Sequence, residues 1–533
     1  MKQLEEEFGM DRAIEIETDD EDDEAERVCH DNEDDNESDI TGLSRVPSYD
    51  LMDPDPAPSW PQSYRQSMDM YTSVTPSVSF IRGSSFLVQA DKRSQAPDIE
   101  SPLTKPFLSA TNSDREIVPT SIPPIKLSSV SVFGASISEL PPPLQQCSYA
   151  QSLLNATNAL CGIGILSTPY ALKEGGWFGL LLLFMFGIIA CYTGILLKRC
   201  LESSSQLQTY PDIGQAAFGL GGRICIAVIL YIELYSSCVE FLIMMSDNLS
   251  ATFPNAQVHI AGIHLDSYQI CAIVATLVIL PTVWLRNLSL LSYVSIGGVV
   301  TLALVVLCLL WVGVVSDIGF NPSGKALNFT HLPITIGIYS FCYGGHSVFP
   351  NIYSSMENPS QFPSVLAISF AISGSLYAGV AVLGYLMFGE ATNPQFTLNL
   401  PTRLIASKIA GWAVVVAPLT KFGLSMTPVA LALEELLPAD QLASNTAPIL
   451  IRTTLVVSTL IVALTVPYFG SMMALIGSFL IMLMSLVLPC ACYMRIQSGR
   501  LTKFQITICS TVMGVGVLCA VIGTYSAVAT MGT

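Results

Sequence analysis

The chain has 533 residues, of which 51% are hydrophobic and only 12% charged, about half the charge of a soluble globular chain. Its net charge of −18 is unevenly placed: residues 1–143 hold 11 Lys/Arg against 29 Asp/Glu, and residues 144–533 hold 13 of each. An acidic tail on a nearly neutral apolar body excludes an ordinary soluble globular protein and leaves no nucleic-acid partner to expect.

Residues 1–140 are rich in Asp, Glu, Ser and Pro, with acidic runs at 19–26 and 31–39. Such a segment buries too little apolar surface to offset its ordering entropy, so 1–143 reads as a disordered cytosolic tail. No apolar core follows Met1, so no signal peptide is expected. Tyr49-Asp-Leu-Met52 is like a tyrosine-based sorting signal, a pattern also frequent by chance, and the tail is a place for cytosolic sorting or regulatory proteins to dock. Prolines 141–143 form a linker.

Apolar runs of about the 20 residues that span a bilayer then follow in series: 148–172, 176–198, 223–247, 267–285, 289–315, 331–356, 363–388, 403–433, 449–467, 470–494 and 504–528. The expected fold is an all-α integral membrane protein of eleven spans in a domain over 144–533. An odd count puts the termini on opposite sides. With the tail in the cytosol, cytosolic connections carry Lys198, Arg199, Arg223, Arg286, Arg495, Arg500 and Lys503, with Arg452 near an edge; the far side carries Lys173, Lys325 and Arg403. That bias agrees with the positive-inside rule and puts the C-terminus in a lumen. The glycosylation patterns Asn248-Leu-Ser250 and Asn328-Phe-Thr330 both fall on the far side.

The first span is not a clean helix. Asn155-Ala-Thr-Asn-Ala-Leu-Cys-Gly-Ile-Gly-Ile-Leu-Ser-Thr-Pro-Tyr170 carries Gly162, Gly164 and Pro169 in its middle. Glycine weakens a helix, and Pro169 frees the carbonyl of Ile165. A second helix would restart with Thr168 as N-cap and Pro169 first. The sixth span repeats the pattern: Gly344 and Gly345 precede Pro350, and Gly164 to Pro169 and Gly345 to Pro350 are both five residues. Five spans separate the breaks, which gives inverted repeats over about 148–315 and 331–494, with 504–528 extra. Irregular backbone inside a bilayer is tolerated only where it is buried in protein or lines a cavity, and a matched pair of interrupted spans points to a transporter binding site. The competing reading is a pair of kinked, packed helices.

Half-helix N-termini suit a carboxylate, and freed carbonyls suit an ammonium or small cation. Spans 1 and 6 together would therefore hold a zwitterion, which favours an amino acid over a sugar or lipid. The expected substrate-binding residues are Asn158, Gly162, Ile163, Gly164, Ile165, Tyr343, Gly344, Gly345 and His346. Asn155 and Asn158 precede the first break and would cap it or line the site. Charges inside the membrane default to function. Lys421, beside Thr420, sits far from either end of span 8, either as a structural cation or as a titrating ammonium that favours protons over sodium. Glu233 and Glu240, seven apart in span 3, share a helical face and read equally as a proton carrier or a structural pair. Lys421, Thr420, Glu233 and Glu240 are thus the ion-coupling candidates.

Residues 158–172, followed by Gly175-Gly176-Trp177, resemble the first span of the amino acid/auxin permease superfamily. Tyr210-Pro-Asp-Ile-Gly-Gln-Ala-Ala-Phe-Gly219 is similar to its loop before span 3, and residues 343–353 and 420–428 resemble its spans 6 and 8. The long acidic tail and the Thr420-Lys421 pair are most similar to its vacuolar amino-acid transporter group, of plant type and related to vesicular inhibitory amino-acid carriers. The resemblance covers about 148–495. It implies a LeuT-type 5+5 fold with discontinuous spans 1 and 6, neutral amino-acid substrates, proton coupling with antiport, and a vacuolar or other endomembrane address.

No phosphate-cradling loop, HExxH or GxSxG is present, and the fourteen cysteines show no CxxC pairing, so no enzyme chemistry, metal or cofactor is expected. The partners expected are amino acids, protons and the lipid bilayer. Two readings stand beside a transporter. One is an amino-acid sensor whose tail engages a cytosolic partner with little flux. The other is a channel, which an occluding two-helix break disfavours.

Overall fold

Helix starts and breaks organise the computed structural model, which describes residues 60–62, 64–65, 67–68, 147–260, 263–284, 288–321, 324–438 and 446–532, all in the unit Pro58–Thr533. Most of the tail, with the sorting-like residues 49–52 and the linker prolines, lies outside the described residues. The described residues between 60 and 68 differ from the disordered-tail expectation: Tyr64, Ser67 and Met68 are buried against the rest of the chain.

Ser148 opens the first helix, α1 (Tyr149–Leu160), with a reciprocal capping box to Gln151, which satisfies two otherwise orphan amides. A 3-10 turn (Ile163–Ser167) follows, then α2 (Thr168–Gly175). The remaining elements are α3 (Gly179–Leu201), α4 (Tyr210–Thr252), a β1 (Val258–Ile260) and β2 (Ile263–Leu265) antiparallel pair, α5 (Ser267–Trp284) and α6 (Leu288–Val315). After them come α7 (Leu332–Cys342), α8 (Phe349–Ser355), α9 (Phe362–Phe388), α10 (Ile405–Glu434), α11 (Thr446–Thr465), α12 (Phe469–Ile496) and α13 (Lys503–Met531). Prolines stand in the first turn of α2, α7, α8 and α9, where their missing amide is harmless.

Eight helices among the described residues are long and apolar enough to cross a membrane. Ile188, Leu307 and Val314 stand largely bare on the outside, as a lipid-facing surface requires. The longest helix, α4, begins thirteen residues before the expected start of span 3. Thr209 and Asp212 cap it reciprocally, and at Gly219 the backbone turns to φ 69°, a conformation that favours glycine. Arg223 reaches back across this kink to Asp212 at 2.6 Å. The hydrophobicity pattern begins only after the kink, which is why it hid the first turns.

Asn248 is inside α4 and buried, and its Nδ2 donates to Met244 O and to Gln395 Oε1 at 2.6 Å. It is a structural amide, closed to a glycan.

The helices pack as two groups. The broken pairs α1/α2 and α7/α8 pack with α3 and α9, while α10 packs along α6 and α4, with α5 and α11 beside them. Glycines let α7 and α12 touch backbone to backbone: a Cβ on Gly337 or Gly477 would collide with the main chain opposite. Backbone bonds also pin the broken pairs together at both ends. Cys147 N donates to Ser355 O (2.7 Å) and Glu357 N to Cys147 O (3.0 Å), tying the start of α1 to the end of α8. Asn328 N donates to Gly175 O (3.2 Å) and Thr335 Oγ1 to Ala171 O (2.9 Å), tying α2 to the start of α7.

Candidate functional site

The first halves of both broken segments end side by side. Tyr377, from the middle of α9, lies within hydrogen-bond reach of Leu160 O, at the end of α1, and of Cys342 O, at the end of α7. Last-turn carbonyls have no intrahelical donor; Leu160 O accepts the amide of Gly162 at 2.8 Å, and the single proton of this hydroxyl is shared between the ends of both half-helices. Tyr377 continues a polar stripe on α9 with Ser369 and Ser373, which meet Thr157 (3.3 Å) and Cys161 (3.2 Å) of the first span. Interhelical hydrogen bonds of this kind stabilise membrane helices by about 0.6–2 kcal/mol each.

The restart of span 1 differs in detail from expectation. The cap of α2 is Ser167, which makes no side-chain cap bond; its hydroxyl donates to Pro394 O at 2.6 Å. Thr168 is the first helical residue, and its hydroxyl donates back to Ile165 O at 3.0 Å. The carbonyl that Pro169 frees is therefore already satisfied. Two donors stay open instead: among the described residues, the amides of Ile163 and Gly164 have no acceptor.

A cavity of about 90 Å³ lies between the two helix groups, at the breaks, room for several waters at about 10–15 Å³ each by the same measure. From the first break it takes in Asn158, Gly162, Ile163 and Gly164, and from the second Gly344. Lys421 and Glu233 reach it from the opposite group, with Ser237 and Ser425 beside them. Lys421 makes no ion pair or hydrogen bond among the described residues. Glu233 sits against the Ser347 side chain, and its Oε2 has no partner among the described residues. Phe241, Phe341 and Ile481 supply an apolar wall.

The other candidates lie away from the cavity. Ile165 is 1% exposed and packed in the core. Tyr343 stacks on Phe370, with centroids 5.7 Å apart. Gly345 faces Phe349 and Leu160. His346 is buried against α3, where Nε2 lies 3.0 Å from Ala190 O and 2.9 Å from Thr193 Oγ1; a carbonyl accepts only, so Nε2 carries the proton. Thr420 turns into its own helix to bond Ala417 O at 2.6 Å. Glu240 is fully buried, and neither of its oxygens has a partner among the described residues. It stands two turns, about 10.5 Å, beyond Glu233.

Tyr377 escaped the sequence reading, although the four-residue spacing Ser369, Ser373, Tyr377 in an apolar helix was a usable signal. Glu434 and Arg452 form an internal charge pair at 2.7 Å, with Arg452 also donating to Val283 O at 2.9 Å. Those bonds join α10, α11 and α5 and give the pair a structural role.

The family model for transmembrane amino acid transporter proteins matches residues 145–529. The chain is 50% identical over 530 residues to amino acid transporter AVT1B of Arabidopsis thaliana, covering 97% of each. It is 52% identical over 499 residues to amino acid transporter AVT1E of the same plant, covering 92% of each. It is 28% identical over 377 residues to a vesicular GABA transporter of Caenorhabditis elegans, covering 67% of this chain and 74% of that one. A match this long takes in both breaks, α9 and Lys421, and it establishes that the chain belongs to the transmembrane amino acid transporter family, a family of membrane carriers and not of enzymes.

Proposed function

We propose that the chain is a secondary active transporter of neutral amino acids across the vacuolar membrane, exchanging lumenal protons for cytosolic amino acids. The observation that carries this reading is the meeting of both helix breaks at one cavity with open amides on one side and Lys421 and Glu233 on the other. The amides of Ile163 and Gly164, just ahead of α2, suit the carboxylate. The carboxylate of Glu233 suits the ammonium, and the wall of Phe241, Phe341 and Ile481 suits an uncharged side chain. Lys421, without an ion-pair partner among the described residues, is the group through which we expect proton coupling, with Glu233 as the second titrating partner. The two helix groups would rock about the cavity and open it to each side in turn, as alternating access requires. The names of the relatives support amino acids as the cargo.

In this reading α1/α2 and α7/α8 count as single spans and α6 as another, which makes eleven in a LeuT-type arrangement with repeats over about 148–315 and 331–494. The acidic tail is then cytosolic and the C-terminus lumenal. Protease protection of a tag at each end, in sealed vesicles, tests that: cleavage of both tags from one side would overturn the count.

The decisive measurement is uptake by proteoliposomes with an acid interior, over a panel of amino acids, with and without sodium. Accumulation of neutral amino acids that follows the pH gradient and ignores sodium is the expected result. Uptake that follows sodium, or tight binding without flux, would overturn it.

A further inference from the structure

Residues 60–68 belong by composition to the acidic tail, yet the described residues among them dock on the membrane domain through specific contacts. The Trp60 indole donates to Ala432 O at 3.1 Å, in the last turns of α10. The amide of Gln62 donates to Glu435 Oε1 at 2.8 Å. Arg223 of α4 donates to the carbonyls of Trp60 (3.2 Å) and Pro61 (3.5 Å), while its other arm holds Asp212. The rings of Trp60 and Tyr64 both pack on Tyr231 of α4, with centroids 5.8 and 6.2 Å away. Tyr64 is 1% exposed and donates to Ser347 O at 3.3 Å. Burial holds its phenol well above the usual tyrosine range, so it remains a donor.

Ser347 is the hinge of this arrangement. It lies in the break between α7 and α8 and lines the cavity. Its side chain faces Glu233, and its carbonyl accepts the hydrogen bond from Tyr64. The segment therefore touches both helix groups: α4 and α10 through Arg223, Tyr231 and Ala432, and the second broken span through Ser347. A side chain wedged between two bodies that must separate holds them together, and one at the cavity's edge also blocks its mouth.

We propose that residues 60–68 are a built-in plug that closes the tail-side mouth of the amino-acid cavity and staples the broken spans to α4 and α10 until it is displaced. The idea rests on the reading of the cavity as the transport site, but the closure can be measured without any transport. Cys342 lines the cavity and is only 2% exposed, so it is a native reporter of access.

The test uses the full chain in proteoliposomes and three variants: Trp60→Ala, Tyr64→Ala and Tyr64→Phe. A charged thiol reagent is added on the tail side, and labelling of Cys342 is read by peptide mass mapping. With either alanine variant the rate should rise by about tenfold, the response to each step of 1.4 kcal/mol in the closing equilibrium. Tyr64→Phe keeps the ring and the fold but loses the bond to Ser347, and should give a smaller rise. A synthetic peptide of residues 58–70, added in trans to Trp60→Ala, should restore slow labelling. Amino-acid uptake from the tail side is measured in parallel and should rise with the labelling. Labelling that stays at the wild-type rate in all three variants, or that the peptide does not slow, would overturn the plug. Faster labelling with no amino-acid flux in any variant would keep the plug and overturn the transport reading instead.

Discussion

The two breaks share a spacing but differ in how tightly they are filled. At the first, a Cβ added to Gly162 would meet nothing within 4 Å, and the amides of Ile163 and Gly164 stay open. At the second, a Cβ on Gly344 would press Ile481 at 2.8 Å, and one on Gly345 would press Phe349 at 2.9 Å and Leu160 at 3.1 Å. Gly162 of the first break leaves room for a ligand, whereas Gly164, where a Cβ would meet Cys342 Sγ at 3.0 Å, and the glycines of the second break leave room for neighbouring helices. Equal sequence motifs thus serve two ends: one break offers the cavity its polar groups, and the other closes the cavity's wall.

Substitutions can break this contrast or sharpen it. Gly345→Leu should have the largest effect, because overpacking of a tight site destabilises by about 1–3 kcal/mol; yield and monodispersity in detergent should fall. A well-folded Gly345→Leu protein would show that the second break is as open as the first. Lys421→Met keeps the apolar stem and removes the charge that faces the first break across the cavity. It should insert normally and lose accumulation driven by a pH gradient, measured as uptake against imposed gradients. A variant with wild-type pH dependence would make Lys421 structural and move the coupling to Glu233. Tyr377→Phe removes the one hydroxyl shared by both half-helix ends and leaves the buried Cys342 O short of a donor, while Leu160 O keeps the amide of Gly162. Leaving such groups unsatisfied costs about 1–3 kcal/mol, so transport at fixed expression should drop by about tenfold or more; an unchanged rate would mean that the ends are held by packing alone. The smallest effect belongs to Gly162→Ala. The methyl enters open space, so stability should stay within about 0.5 kcal/mol, while KM should rise more for bulky amino acids than for small ones. A KM shift uniform across side-chain sizes would place the amino-acid side chain elsewhere.

The breaks were legible because glycine and proline disturb helices whatever surrounds them. The apolar runs were legible because a bilayer demands length. Which residues of a break face the cavity was not legible, since that depends on rotation. The 3-10 turn advances about 120° per residue against 100° in an α-helix, so Ile165 turns into the core two residues after Ile163 lines the cavity. Thr420 and Lys421 are neighbours, yet only Lys421 faces the site. Glu240 shares a face with Glu233 but lies two turns off, a separation that periodicity alone ignores. The docked residues among 60–68 were hidden by the composition of the stretch: one Trp, one Tyr and one Met among Ser, Gln, Pro and Arg are too few to look like a core, and only the mating surface of Tyr231 and Arg223 makes them one.

The backbone bonds at the two ends of the broken pairs carry a mechanical meaning. Cys147 clasps Ser355 and Glu357 at one end, and Gly175 clasps Asn328 at the other, so neither α1 nor α2 can swing without dragging α8 or α7. The four half-helices act as a pair of coupled levers, and a tilt at one mouth is delivered to both sides of the gap at once. The amide protons of Cys147 and Glu357 then become a clock for that swing. If the clasp holds through the cycle, they exchange with solvent deuterium no faster in the transporting protein than at rest; if the levers part, these two amides are the first in the membrane domain to lose their protection.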